Sequence, residues 1–127
     1  MSSTRFKPIQ QIAEKKERDS AALFGKALQQ RESAQRRLNE LEQFHAEYVA
    51  RYQQATQIGI TAVRVREYQV FIDRLVQAID QQKQVLSRSQ YQVDNSKQHW
   101  QGHYTKARAV DHVVERMQQD ELRQREA

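Results

Sequence analysis

His99 and His103 stand four residues apart in His99-Trp100-Gln101-Gly102-His103. On a helix that spacing puts two imidazoles on one face, where they could chelate a metal ion. A zinc-peptidase helix also needs a glutamate beside the first histidine as general base, and Trp100 holds that place here. No third ligand is apparent near the pair. The plainer reading makes His99 a surface residue and His103 the edge of a helix seam, with no metal bound. Cysteine is absent (Cys 0), which removes thiolate nucleophiles, thiolate metal ligands and disulfides. With Gly at 3 there is no glycine-rich loop to cradle a phosphate, and the acids are scattered singly, so no acid–base pair stands out. These residues point to no catalytic chemistry and no cofactor, and the chain reads as a non-enzyme.

The elements available to position any site explain this. Gly 3 and Pro 1 leave little material for turns, and Gln, Glu, Lys, Arg and Ala dominate the remainder. Those residues lose little rotamer freedom in a helix, so the backbone preference is strongly helical. Charged residues make up 29% and apolar residues 38%, with a mean hydropathy of -0.98. So polar a chain is ordered only if its apolar residues are periodic. No apolar run approaches the ~20 residues that span a bilayer, and Met1–Gln11 lacks the apolar centre of a cleaved signal peptide. The expected location is therefore the cytoplasm. The net charge of +5 is spread along the chain among acids, with no like-charge block. It describes a solvated helix surface with weak attraction to an acidic protein or membrane surface, and it lacks the basic stripe with exposed aromatics that nucleic-acid binding uses.

The periodicity is present. From Val65 a heptad register has Val65, Ile72, Ile79, Leu86, Val93, Trp100, Ala107 and Val114 at a, and begins its d positions with Tyr68 and Leu75. Gln82, Ser89, Ser96 and His103 make the middle of the d side polar, which weakens that seam. The first half carries a rougher face of Ile9, Ile12, Ala13, Leu23, Ala27, Ala34, Leu38, Leu41, Phe44, Tyr48, Tyr52 and Ala55, and the spacing through Ala34, Leu38 and Leu41 requires a phase shift. Pro8 suits a first helical turn, which places the first helix at about 8–56. Gly59 suits a helix C-cap and Thr61 an N-cap, which places the turn at about 57–61 and the second helix at about 62–122. A short loop makes long helices antiparallel neighbours. The expected fold is all-α: one domain over 1–127, a long antiparallel two-helix coiled-coil hairpin. At ~1.5 Å per residue the second helix outruns the first and overhangs it at the terminal end. Gly25 and Gly102, inside the helices, read as tolerated residues, soft points or close crossings.

Residues 67–82 hold more apolar side chains than a seam needs: Tyr68, Val70, Phe71, Ile72, Leu75, Val76, Ala78 and Ile79. Tyr68, Ile72, Leu75 and Ile79 fill a and d. Phe71, Leu75, Ala78 and Gln82 step by four, three and four into a stripe beside the seam. Two readings are open on spacing alone: a core widened near the turn, with Phe71 over Phe44 or Tyr48, or an exposed stripe that docks a partner.

The same residues carry a family resemblance. The pattern Tyr68-Gln69-x-Phe71-Ile72-x-x-Leu75-x-x-Ala78-Ile79-x-Gln81 with Trp100 downstream, the run Ile12-Ala13-Glu14-Lys15-Lys16-Glu17 with Asp19 and Ala21-Ala22, and Leu41-x-x-Phe44-x-x-Glu47-Tyr48 ahead of Gly59 resemble the flagellar type III export family FliJ over nearly the whole length. The resemblance implies a non-enzymatic, stalk-like coiled coil that sits in the hexameric ring of the export ATPase and promotes its activity. It also implies docking on the cytoplasmic domain of the export gate and escort of export chaperones. The expected place is cytoplasmic, peripheral to the inner membrane at the flagellar base, with membrane association only through partners, and the expected state is a monomer or weak dimer. The family's gate-binding patch falls on Phe71, Leu75, Ala78 and Gln82; Gln82 stands where the best-known member has histidine. A self-associating four-helix bundle with no motor role is the alternative.

Overall fold

The computed structural model describes residues 2–126, so Met1 and Ala127 of the expected 1–127 domain lie outside it. It is a helical hairpin of α1 (Ser3–Ile58, 56 residues) and the longer α2 (Ala62–Glu126, 65 residues). The turn forms as its residue types dictate. Gly59 adopts φ 100°, the left-handed conformation that ends a helix at little cost for glycine, and its N–H donates to the Ala55 carbonyl at 3.0 Å. Thr61 then caps α2, its Oγ1 accepting from the Arg64 N–H at 3.3 Å. The connection spans 59–61, two residues tighter than the expected 57–61, and α2 continues beyond 122.

Helix α1 begins at Ser3 and not near residue 8, so Pro8 lies inside the helix. Pro8 lacks the N–H that would have bonded back to Thr4, a cost offset by capping of the extra turn. Ser2 Oγ accepts from the Thr4 N–H at 3.2 Å, and the Ser2 carbonyl from the Arg5 N–H at 3.1 Å. The Glu121 carboxylate, reaching from α2, accepts from the Ser3 N–H at 2.7 Å and from Ser3 Oγ at 3.0 Å. This cap also revises the expected overhang: with Ser3 beside Glu121, only the last turn of α2 runs past the start of α1. The backbone hydrogen bond from Ser3, then its hydroxyl, hold the Glu121 carboxyl below its ordinary value. A depressed carboxyl stabilises the fold above its unfolded pKa, and that contribution is lost as pH falls through the folded value. Acidification through the carboxylate range should therefore lower the protection of the Ser3 amide, measured as its hydrogen-exchange rate relative to the intrinsic rate at the same pH, before it affects the turn end. Equal protection of Ser3 in wild type and Glu121→Gln at neutral pH would refute this.

The chain divides into two compact units, each made from both helices. Unit 2 comprises 29–91 and carries the turn. Its core is Leu38, Leu41 and Ile79, with Leu75, Ala78 and Leu86 packed against it. Toward the turn the seam becomes aromatic: Tyr52 stacks on Tyr68 at 5.6 Å and Tyr48 meets Phe71 at 4.3 Å. Unit 1 comprises 1–28 with 92–127. Ala27, Val93, Ala107 and Val114 are buried there, with Ser20 beside them, its Oγ donating to the Glu17 carbonyl at 2.8 Å. Trp100 stacks on Phe24 at 5.8 Å, and its Nε1 donates to Glu17 Oε1 at 3.0 Å.

On α2 the residues turned inward are those of the heptad register: Tyr68, Ile72, Ile79, Leu86, Val93 and Trp100 are all buried or half-buried. Two of the polar d positions bond to their own helix. Ser89 Oγ donates to the Leu86 carbonyl and Ser96 Oγ to the Gln92 carbonyl of their own helix, at 2.8 and 2.7 Å.

On α1 the apparent phase shift is absent. Inward positions alternate by three and four: Phe6, Gln10, Ala13, Glu17, Ser20, Phe24 and Ala27 in unit 1; Arg31, Ala34, Leu38, Leu41, His45, Tyr48, Tyr52 and Ala55 in unit 2. Ile9, Ile12, Leu23 and Phe44 are exposed instead. Grouping aliphatic residues hid a regular seam that uses Gln10, Glu17, Ser20, Arg31 and His45. Four of them have polar partners: Gln10 Nε2 donates to Asp111 Oδ1 at 2.8 Å, Glu17 accepts from Trp100, Ser20 donates to the Glu17 carbonyl and Arg31 donates to Gln90.

Gly25 and Gly102 mark no close crossing: a Cβ at either would meet nothing within 4 Å. Gly25→Ala and Gly102→Ala should each therefore add about 1 kcal/mol of stability, from helix propensity alone. Chemical denaturation checks this, and a loss of stability in either variant would mean that the backbone there is approached by something else.

Candidate functional site

The four residues of the proposed stripe lie on one stretch of α2 in unit 2, but they do not present themselves equally. Phe71 is the most open, at 39% exposed, with one side of its ring against Tyr48. Leu75 and Ala78 are half-buried and pack on the Leu38–Leu41–Ile79 core. Gln82 turns inward, its Nε2 donating to the Ala34 carbonyl of α1 at 3.0 Å. That carbonyl also belongs to the α1 backbone ladder, so the glutamine ties the two helices together across the seam. The geometry matches the widened core: Leu75, Ala78 and Gln82 pack toward α1 and Phe71 lies against Tyr48, while the rest of the Phe71 ring stays exposed.

Beside Phe71 lies a shallow groove of about 370 Å³ that spacing did not reveal, lined by Val63, Arg66, Glu67, Val70, Phe71 and Arg74. Val63 is 68% exposed and Val70 44%. Both sit off the seam, where a polar residue would serve solvation better. The cations at its rim, Arg66 and Arg74, are of the kind that would meet an acidic or carbonyl-rich partner. The ring of Phe44, half-exposed on α1, adds apolar surface in the same unit. The signal available in sequence was the off-seam pair Val63 and Val70 seven residues apart.

At the other set of candidates, His99 is exposed and His103 half-buried, and they share a shallow groove with Gln98, Gly102 and Lys106. Among the described residues no group of three His, Cys, Asp or Glu side chains could hold a metal ion. Lys106 in the groove adds a cation to the same surface. Among the described residues no helix is long and apolar enough to cross a membrane.

The comparisons with known proteins give one finding. The family model described as "Flagellar FliJ protein" matches residues 1–127. No curated protein and no solved structure matches the chain.

Proposed function

The chain belongs to the FliJ family of flagellar export components, and from that premise we propose that it is the stalk-like, non-enzymatic coiled coil of the export apparatus. Unit 1 engages the hexameric export ATPase and stimulates it. Unit 2 docks on the cytoplasmic domain of the export gate through Phe71, Leu75, Ala78 and Gln82. The same surfaces receive export chaperones. The protein works in the cytoplasm at the flagellar base, held near the inner membrane by its partners, and the two units act as one coiled-coil domain.

The observation that carries this reading is Phe71: a large aromatic kept open on a unit that has its own closed core, next to a groove lined by Val63 and Val70. Open aromatics over apolar hollows are the residues on which protein interfaces concentrate their energy. Leu75 and Ala78 contribute from beneath, fixing where the ring stands. Gln82 contributes by holding α2 against α1 at Ala34.

Purified gate domain should bind the chain and lose affinity by about tenfold or more for Phe71→Ala, as an interface anchor does when truncated. Unchanged binding would remove Phe71 from the site. A self-associating bundle remains the second reading, favoured by the exposure of Ile12, Leu23 and Phe44. Sedimentation of the pure chain separates them: a concentration-independent monomer supports the stalk, a stable dimer the bundle.

A further inference from the structure

Unit 1 carries a second amphipathic line outside its seam. Along α1 the aliphatics Ile9, Ile12 and Leu23 are 49%, 57% and 64% exposed. They fall on the same three-and-four spacing as a coiled-coil seam, displaced round the helix from the inward residues. The cations Arg5, Lys16 and Lys26 occupy the intervening steps of that line, and Asp19 is its one acid. The hydrogen bonds Gln10–Asp111 and Trp100–Glu17 fix the antiparallel register. In that register Lys106, exposed, lies on the stretch of α2 that passes Lys16, and Val113, 42% exposed, on the stretch that passes Ile9.

In a hairpin that needed only its own two helices, opposite charges would face each other on this flank. None of the ion pairs Glu32–Arg36, Arg37–Glu40 and His112–Glu115 reaches Lys16 or Lys106. The nearby carboxylates of Glu17 and Asp111 are taken up by Trp100 and Gln10. The flank is thus apolar, regular in heptad spacing and positive, with the three cations Arg5, Lys16 and Lys26 against the single acid Asp19.

We propose that this flank is a docking surface for a third helix: an amphipathic helix of another protein, with aliphatics at seam positions and Asp or Glu beside them. Ile9, Ile12 and Leu23 would enter its seam, and Lys16 and Lys106 would flank it as the charged pair that sets partner choice. An anionic membrane is the poorer match, because the line holds no Trp, Tyr or Phe of the kind that anchors helices in the interface.

The test uses the full chain and a synthetic helical peptide with Leu at a and d and Glu at e and g, read by fluorescence anisotropy. Its controls are a Lys-flanked version, a scrambled peptide of the same composition, and phosphatidylglycerol vesicles. The acidic heptad peptide should bind, and the Lys-flanked and scrambled ones should bind at least about tenfold more weakly. Ile12→Glu and the Lys16→Glu, Lys106→Glu double variant change only exposed positions and should fold with unchanged circular dichroism. Each should weaken the peptide by about tenfold or more, and the double variant should also flatten the salt dependence. No binding, equal binding of the scrambled peptide, or full affinity in both variants overturns the proposal. So does vesicle binding that Ile12→Glu abolishes, which would assign the flank to lipid. A dimer that Ile12→Glu dissociates would assign it to a second copy of the chain and likewise overturns it.

Discussion

Ile79→Ala should cost about 2–4 kcal/mol of stability, whereas Phe71→Ala, removing a larger side chain from the same helix, should cost only about 1 kcal/mol. The difference comes from what each side chain leaves behind. Ile79 is 9% exposed and closes on Leu38 and Leu41, at 6% and 7%, from the other helix. Truncating it opens a cavity between two helices that have no further layer to collapse into it. Phe71 is 39% exposed, and its main partner is the Tyr48 ring at 4.3 Å. Its removal loses an aromatic pair, and the site fills with water at little cost. Denaturant unfolding followed by circular dichroism measures both. Equal losses would place Phe71 in the core and end its role as an exposed anchor. Leu75→Ala belongs with Ile79→Ala, because Leu75 packs on the same cluster. It is therefore unsuited as a probe of docking alone.

Where the sequence was legible, one physical term dominated. On α2 the a positions are apolar at every step from Val65 to Val114, so periodicity alone identifies the buried face. Gly59 and Thr61 were legible because a left-handed residue and a side-chain cap are local demands that few residue types meet. On α1 the seam mixes Ala13, Ala27, Ala34 and Leu38 with Gln10, Glu17, Ser20 and Arg31. Hydrophobicity fails as a guide there, because the polar members bury their stems and satisfy their ends on the partner helix or on their own backbone. Three of the residues most inviting to a search for a core, Ile9, Ile12 and Leu23, are on the outside. The start of α1 was hidden for a different reason. Pro8 is a strong local signal, and it was outweighed by a carboxylate at Glu121, 118 residues away from the Ser3 it caps. As for the candidate site, the spacing of Phe71, Leu75, Ala78 and Gln82 located the stripe. Spacing could not show that Gln82 is committed to the Ala34 carbonyl or that Val63 and Val70 extend the surface.

The proposed division of labour makes opposite demands on the two units, and two variants should separate them. Cutting the chain after Met117 removes Glu121 and with it both bonds to Ser3, so the start of α1 should fray. It also removes Arg123 and Arg125, the cations of the last turn. None of this touches unit 2, whose core lies between Leu38 and Leu86. The truncated chain should therefore keep its affinity for the gate domain while stimulating ATP hydrolysis by the export ATPase several-fold less, as expected when a few charged contacts of about 0.5–1 kcal/mol each are lost. Phe71→Ala should do the reverse. It leaves Trp100, Glu17 and Phe24 of unit 1 as they are, so ATPase stimulation should persist while gate binding falls. The two activities must be measured on the same preparations, with helicity recorded for each. The fluorescence of Trp100, the single tryptophan, reports whether unit 1 keeps its seam in either variant. If both variants lose both activities in proportion while remaining helical, one shared surface serves both partners, and the assignment of one unit to each is wrong.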